Sequence, residues 1–263
     1  MTAMIDKSRI AESFSRAASS YDSVAELQRE VGAELLERLP NFSANRVMDL
    51  GSGTGWFTGQ LAECYPSSRL ISLDLAFGML QYSRAQRPSP RCDWLCADAE
   101  QLPLKDQSIS LIYSSLAVQW CERPELLMSE IDRVLEPGGY CLLATLGPDT
   151  LVELRNAWAA VDQYVHVNRF ISAEQLLSGK PGSLQLESLT ESVKTLQYPR
   201  LRDLTDELKK LGAHNMNAGQ QTGLTSRQRV RLFSQAYEEM RLENGMLPAS
   251  YQVYFIVLQK AEG

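Results

Sequence analysis

The sequence predicts an α/β fold, a doubly wound domain built on a mostly parallel sheet. Three observations predict it. Short apolar runs recur at Arg46–Leu50, Arg69–Asp74, Asp93–Cys96, Ile109–Ser114 and Gly139–Leu146, separated by helical or loop segments. Strands alternating with helices build parallel sheets with crossover helices. The first run leads straight into a loop of alternating glycines, Gly51, Gly53 and Gly55. With 263 residues, 44% of them hydrophobic, the chain is long enough for one large domain with insertions.

The elements follow in order. Arg9–Ser20 reads as a weak helix, broken at Ser19–Asp22. Val24, Leu27, Val31, Leu35 and Leu39 fall at helical spacing, so about 22–39 is an amphipathic helix. Asp22 or Ser23 caps it, and Pro40 and Asn41 end it. The five strands come next, with Pro137-Gly138-Gly139 as the turn into the fifth. Thr150-x-x-Glu153 forms a capping box for a helix reaching about Asp162, and Ser172-x-x-Gln175 opens a shorter one. Gly179–Ser183 is a loop, and Leu186–Tyr198 contains a strand. Thr225-x-x-Gln228 caps a helix to about Glu243, and Tyr251–Leu258 is a final strand rich in β-branched and aromatic residues. The single domain, 1–263, therefore divides into an N-terminal helical lid (1–45), a ligand-binding core (46–147), a helical insertion with one strand (148–245) and a last strand (246–263).

Net charge is -6 and pI about 5.1, which argues against non-specific nucleic-acid binding. The five cysteines, Cys64, Cys92, Cys96, Cys121 and Cys141, contain no C-x-x-C pair, and there are two histidines. No metal site is expected, and the thiols read as reduced. MTAMIDKSRI lacks the apolar core of a signal peptide, and the run at Val253–Leu258 is too short to span a bilayer. A cytoplasmic protein with no membrane partner is the expectation.

The strongest chemical signal is Val47-Met48-Asp49-Leu50-Gly51-Ser52-Gly53-Thr54-Gly55. Glycines let backbone approach a ligand and take positive φ, and doubly wound sheets bind ligands at the carboxyl ends of their strands. A dinucleotide fingerprint reads G-x-G-x-x-G; here the spacing is G-x-G-x-G behind Asp49. That pattern suits a cofactor without a pyrophosphate. The acid suits a cationic or amine-bearing group, such as the methionine part of S-adenosylmethionine. Asp74, ending the second strand, is placed to accept from ribose hydroxyls, as it would in a nicotinamide enzyme too. Asp98, after the third strand, can accept from an adenine amine, with the Ala99 N–H donating to a ring nitrogen. Leu75 and Met79 are apolar candidates beside the adenosine, although Met79 equally suits the core.

This constellation resembles the class I methyltransferases over about 46–147 and at the last strand. The resemblance implies S-adenosylmethionine as cofactor and a seven-stranded sheet with its last strand antiparallel. The flanks resemble one family within that class, the malonyl-carrier-protein O-methyltransferases of biotin synthesis. Its motifs are matched by Phe14-Ser15-Arg16-Ala17-Ala18-x-x-Tyr21-Asp22, Leu27-Gln28, Ser115-Leu116-Ala117-Val118-Gln119-Trp120 and Leu151-x-Glu153-Leu154-Arg155. His166-Val167-Asn168-Arg169-Phe170 and Gly223-Leu224-Thr225 also match. The implied reaction is methylation of the free carboxylate of a malonyl thioester on acyl carrier protein. Another methyltransferase, acting on a small carboxylic acid or a quinone precursor, is the alternative; a nicotinamide oxidoreductase and a non-catalytic binder are more distant ones.

A carboxylate, with a pKa of roughly 4, is already ionised at neutral pH and needs no general base. Arg155 is a candidate for gripping the malonyl carboxylate in a bidentate fork; an incidental surface pair with Glu153 or Asp149 is the plainer reading. Tyr21, at the helix break, is a candidate for shielding the methyl group, or else a packing tyrosine. Ser115, Gln119 and Trp120 are placed to line the methyl-donor pocket, with Trp120 equally suited to the core. His166 and His214 are read as structural. Between Arg200 and Arg231 seven basic residues face three acidic ones. Lys209, Lys210, Arg227 and Arg229 are thus candidates for docking an acidic carrier protein. A monomer is expected.

Overall fold

The computed structural model describes residues 6–213 and 227–262. Seven strands form one sheet in the order β3-β2-β1-β4-β5-β7-β6. They are β1 (Arg46–Leu50), β2 (Arg69–Asp74), β3 (Cys92–Cys96), β4 (Ile109–Ser115), β5 (Leu135–Leu146), β6 (Leu184–Tyr198) and β7 (Leu247–Lys260). β1 to β5 run parallel, and β7 lies antiparallel between β5 and β6. The order reverses between β1 and β4, so their carboxyl ends open a crevice at a topological switch point.

Side chains alternate across each strand. Val47, Leu111, Tyr113, Leu142 and Phe255 bury against α2 (Glu26–Leu36), α3 (Trp56–Cys64) and the insertion. Met48, Leu50, Ile112, Cys141 and Ile256 share the other face with α5 (Pro124–Val134). Pro124 opens α5 at its first turn, where a missing N–H costs nothing, and Leu127, Met128, Ile131 and Val134 form its buried stripe. α1 (Lys7–Tyr21) lies across the crevice and packs on α4 (Phe77–Gln86), where Ser15 Oγ accepts from Gly78 N at 3.1 Å.

Several local expectations are corrected. α2 begins at Glu26 with no side-chain cap. Asp22 instead caps α1 and accepts from Thr54 Oγ1 and Arg87 Nη2, each at 2.7 Å. Thr150 and Glu153 form no capping box. Thr150 Oγ1 donates to Gln252 O, Glu153 accepts from Ser250 N and Oγ, and α6 runs over Val152–Ala159 behind a left-handed Leu151. Bonds to β7 are what those side chains satisfy. Pro137–Gly139 lies inside β5, as an irregularity with Gly138 at φ 76°, rather than before it. The Ser172–Gln175 box opens α7 (Ala173–Leu177) as expected. α8 (Leu201–Lys210) was not anticipated, and α9 (Arg227–Glu238) ends short of Glu243. Thr225, His214 and Gly223-Leu224-Thr225 lie outside the described residues. No described helix is long and apolar enough to cross a membrane.

Candidate active site

The glycine loop is stitched to the end of β2. Gly51 N and Ser52 N both donate to Leu73 O, at 2.7 and 2.9 Å, and Gly53 N donates to Asp74 Oδ2 at 2.8 Å. Two of the glycines are required for separate reasons. Gly51 has φ 74°, and a Cβ there would stand 2.1 Å from Ala117 Cβ. Gly55 has φ 77°, and its Cβ would stand 2.1 Å from Ser83 Oγ, so it lets α3 start against α4. Gly53 has φ 54°, and a Cβ there would meet no protein atom within 4 Å.

Two chambers open at this crevice. The first is lined by Gly51, Gly53, Asp74, Leu75, Met79, Asp98, Ala99, Ser115, Trp120 and Tyr21, all expected from sequence. Lys7, Ile10 and Phe14 of α1 also line it and were missed. The second lies between α2, α6, α8 and the segment 166–170; Gln28, Gln119, Leu154, Asn168, Leu211 and Tyr251 line it. Phe14, Tyr21, Leu116 and Trp120 border both chambers. Phe14 meets the Trp120 ring edge-on at 5.5 Å and the Tyr21 ring at 6.4 Å, so an aromatic collar separates the two spaces.

Four expected residues lie behind the wall. Asp49 is buried and its Oδ2 accepts from Thr58 Oγ1 at 2.6 Å, tying the strand end to α3. Burial pushes its carboxyl up to about 7, with Thr58 opposing and Asp74 adding to the rise. Ser52 Oγ accepts from Ser72 Oγ at 2.7 Å. Arg155 is absent from the residues lining either chamber; its Nη1 donates to Thr150 O at 2.9 Å, so the guanidinium steadies the turn that carries Thr150 into the second chamber. Gly55, the start of α3, also lies off the wall.

Charge in the first chamber is concentrated on carboxylates. Burial raises the Asp74 carboxyl, opposed by backbone N–H groups of Ala76, Gly53 and Leu75. Burial likewise pushes the Tyr21 phenol up, helped by Asp74 and Asp22, so its hydroxyl keeps its proton. Lys7 Nζ donates to Asp98 Oδ1 and Oδ2 at 2.9 and 2.6 Å and pairs with the buried Glu100 at 2.8 Å. That pair latches the start of α1 over the crevice.

The residues fit an adenosine-bearing cofactor. Asp74 and Asp98 offer acceptors in the wall of the first chamber, alongside apolar Leu75, Met79, Ala97 and Ala99. Among the described residues, three buried side-chain atoms lack a hydrogen-bond partner: Ser115 Oγ, Gln28 Oε1 and Gln119 Oε1. All three belong to chamber walls, Ser115 to the first and the glutamines to the second. Buried polar groups are normally paired, so these three atoms stand out in the chamber walls.

Of the docking candidates, Lys209, Lys210 and Arg227 are exposed. Lys209 stands 3.8 Å from Asp206. Arg229 is tied to Asp162 and its guanidinium stacks over Tyr164, which gives it an internal role. Asp162 also pairs with His166 Nε2 at 2.8 Å, and the His166 ring stacks on Trp158 at 3.8 Å, with Phe233 on the other side at 4.1 Å. This stack joins α6, the 162–170 segment and α9 into one wall.

Residues 48–143 match the family model of a methyltransferase domain. The fold resembles a candidate methyltransferase of Bacillus halodurans, with TM-score 0.61 and 18% identity over 87% of this chain and 98% of that one. The biotin biosynthesis bifunctional protein BioHC of Cellvibrio japonicus is 53% identical over 97% of this chain. The chain spans about half the length of such bifunctional relatives, 51% in that case and 47% in the one from Saccharophagus degradans. The malonyl-[acyl-carrier protein] O-methyltransferase of Hahella chejuensis is 39% identical over 95% of this chain and 89% of its own length. Similarity over nearly the whole of a single-function relative makes the chain a member of the malonyl-[acyl-carrier protein] O-methyltransferase family.

Proposed function

We propose that the protein transfers the methyl group of S-adenosylmethionine to the free carboxylate of a malonyl thioester on acyl carrier protein. The observation that carries this reading is the collar of Phe14, Tyr21, Leu116 and Trp120, common to the chamber that holds the glycine loop and a second chamber beyond it. When bound, S-adenosylmethionine supplies an electrophilic methyl carbon on a cationic sulfur, so a carboxylate oxygen takes the methyl, the C–S electron pair stays on sulfur, and no proton moves.

The chain's own part is positioning and water exclusion. Asp74 takes the ribose hydroxyls and Asp98 the base amine, with Met79 and Leu75 against the ring. Gly51 and Gly53 keep the backbone close, and Ser115 Oγ has a free valence for the ligand. Alignment of reacting groups is worth on the order of 7–11 kcal/mol in favourable cases. The collar provides it by fixing the line from one chamber to the other. Tyr21 stays a neutral phenol, able to donate to the carboxylate and unable to compete as a nucleophile. Arg155 acts one step back, through Thr150.

Lys209, Lys210 and Arg227 form the docking face for the acidic carrier. α8 ends where Leu208, Leu211 and Ala213 line the second chamber, so a carrier seated there would deliver its thioester inward. The test is incubation with malonyl-loaded carrier protein and S-adenosylmethionine, followed by mass spectrometry. One added methyl on the malonyl group supports the reading; S-adenosylmethionine turnover without it, or no turnover, refutes it.

A further inference from the structure

The unpartnered carbonyls of the second chamber identify which part of a substrate the protein reads there. Gln28 lies on α2, and Gln119 in the 3-10 turn Val118–Trp120 after β4. The orientation of Gln119 is set by its other end, since Nε2 donates to Leu116 O at 2.7 Å and leaves Oε1 facing no donor. Several other polar groups of the chamber are engaged: the Thr150 hydroxyl with Gln252, Glu207 with the Tyr198 hydroxyl, His166 with Asp162.

An unmade buried acceptor requires a donor from the ligand. The reacting end of a malonyl thioester has none. Its carboxylate and thioester carbonyl are acceptors only, and the Gln119 oxygen, fixed by its bond to Leu116, would repel the carboxylate. The amines of the cofactor belong to the first chamber, whose walls include neither glutamine. Amide N–H groups on the arm carrying the thioester are the remaining donors. This inference rests on the proposed carrier-bound substrate.

We propose that Gln28 and Gln119 form an acceptor subsite for an amide N–H of a pantetheine-type arm, and that it selects arm-borne acyl groups over armless ones.

The test uses the full chain and two measurements. Pantetheine itself, without an acyl group, is titrated calorimetrically into the protein and into the Gln28→Met and Gln28→Met/Gln119→Met variants. The subsite predicts measurable binding that weakens on the order of tenfold per lost acceptor. Methyl transfer is then compared for malonyl-pantetheine and for the malonyl thioester of ethanethiol, which has no N–H. The variants should lose more kcat/KM on the first substrate than on the second. Equal loss on both, or pantetheine binding that is absent or indifferent to Gln28→Met, overturns the subsite. Binding that depends on the glutamines without turnover of either thioester would retain the subsite and refute the methyltransferase reading instead. The single Gln28→Met variant leaves the Gln119–Leu116 bond intact, so a folding defect in the double variant does not remove the test.

Discussion

Asp49→Asn should uncouple stability from pH in a defined window. Asp49 is buried under the glycine loop with a carboxyl pushed up to about 7, from an ordinary value of 3.8. The folded state therefore binds a proton that the unfolded chain has released between those values. Stability from this group is complete below the unfolded value and falls as pH rises toward 7, where both states become ionised. From pH 5 to pH 8 the loss is about 2.5 kcal/mol, at 1.36 kcal/mol per pH unit over roughly two units. Asparagine keeps an acceptor for Thr58 and carries no titratable proton. The assay is thermal unfolding of both proteins at pH 5 and pH 8, without ligand. Titrating groups that do not interact with Asp49 cancel in the difference between the two proteins. The wild type should lose about 5–10 °C relative to the variant on going to pH 8. A difference in Tm that is the same at both pH values would refute the burial argument.

Lys7→Ala removes the latch on Asp98 and Glu100. S-adenosylhomocysteine should then dissociate faster, on the order of tenfold by stopped-flow fluorescence; an unchanged rate would mean that α1 does not gate the first chamber. Trp158→Ala deletes the middle of the His166–Trp158–Phe233 stack. A loss of about 2–3 kcal/mol in stability is expected for a half-buried Trp, with KM for the thioester raised and cofactor affinity unchanged; equal weakening of both would place the damage in the whole domain. Reversing Lys209, Lys210 and Arg227 to glutamate should raise KM for the carrier-bound substrate on the order of tenfold at low salt. Small thioesters should be spared, and parallel loss on both would remove docking from this face.

The parallel core was legible because each of its parts obeys a local rule. β1 and β2 have the same bounds in sequence and structure, since apolar runs ending in Gly51 or Asp74 leave little choice. The loop was readable for the same reason: three glycines at positive φ are needed where backbone crosses the strand ends. What escaped was set by distant partners. Lys7 carries no local sign that it will meet Asp98, 91 residues away. Thr150 and Glu153 had the spacing of a cap, yet hydrogen bonds to β7, about 100 residues on, prevailed. Asp22, also in a capping position, instead joins Arg87 and Thr54 and so fixes the Tyr21 break to the glycine loop. α8 fell between weak signals because its buried face is only Leu201 and Leu204, with charge elsewhere. Local rules fail where a side chain is claimed by long-range structure, and here Lys7 and Asp22 are claimed to tie α1 to the walls of the crevice.

The placement of Arg155 follows the physics of the proposed step better than a direct grip would. Methyl transfer from a sulfonium to a carboxylate destroys one charge of each sign, so the transition state is less charged than the reactants. A guanidinium fixed on the carboxylate would stabilise the ground state more than the transition state and raise the barrier. Among the described residues lining the second chamber there is no lysine or arginine. The groups at the collar are aromatic rings, a leucine and the neutral Tyr21 hydroxyl, which favour loss of charge. Exposed cations stand instead at the ends of α8 and α9, and in the proposed reaction they would meet the acidic carrier away from the reacting oxygen. In the proposed reaction, attraction and reaction would be separated in space, with basic residues outside and an apolar collar at the point of transfer.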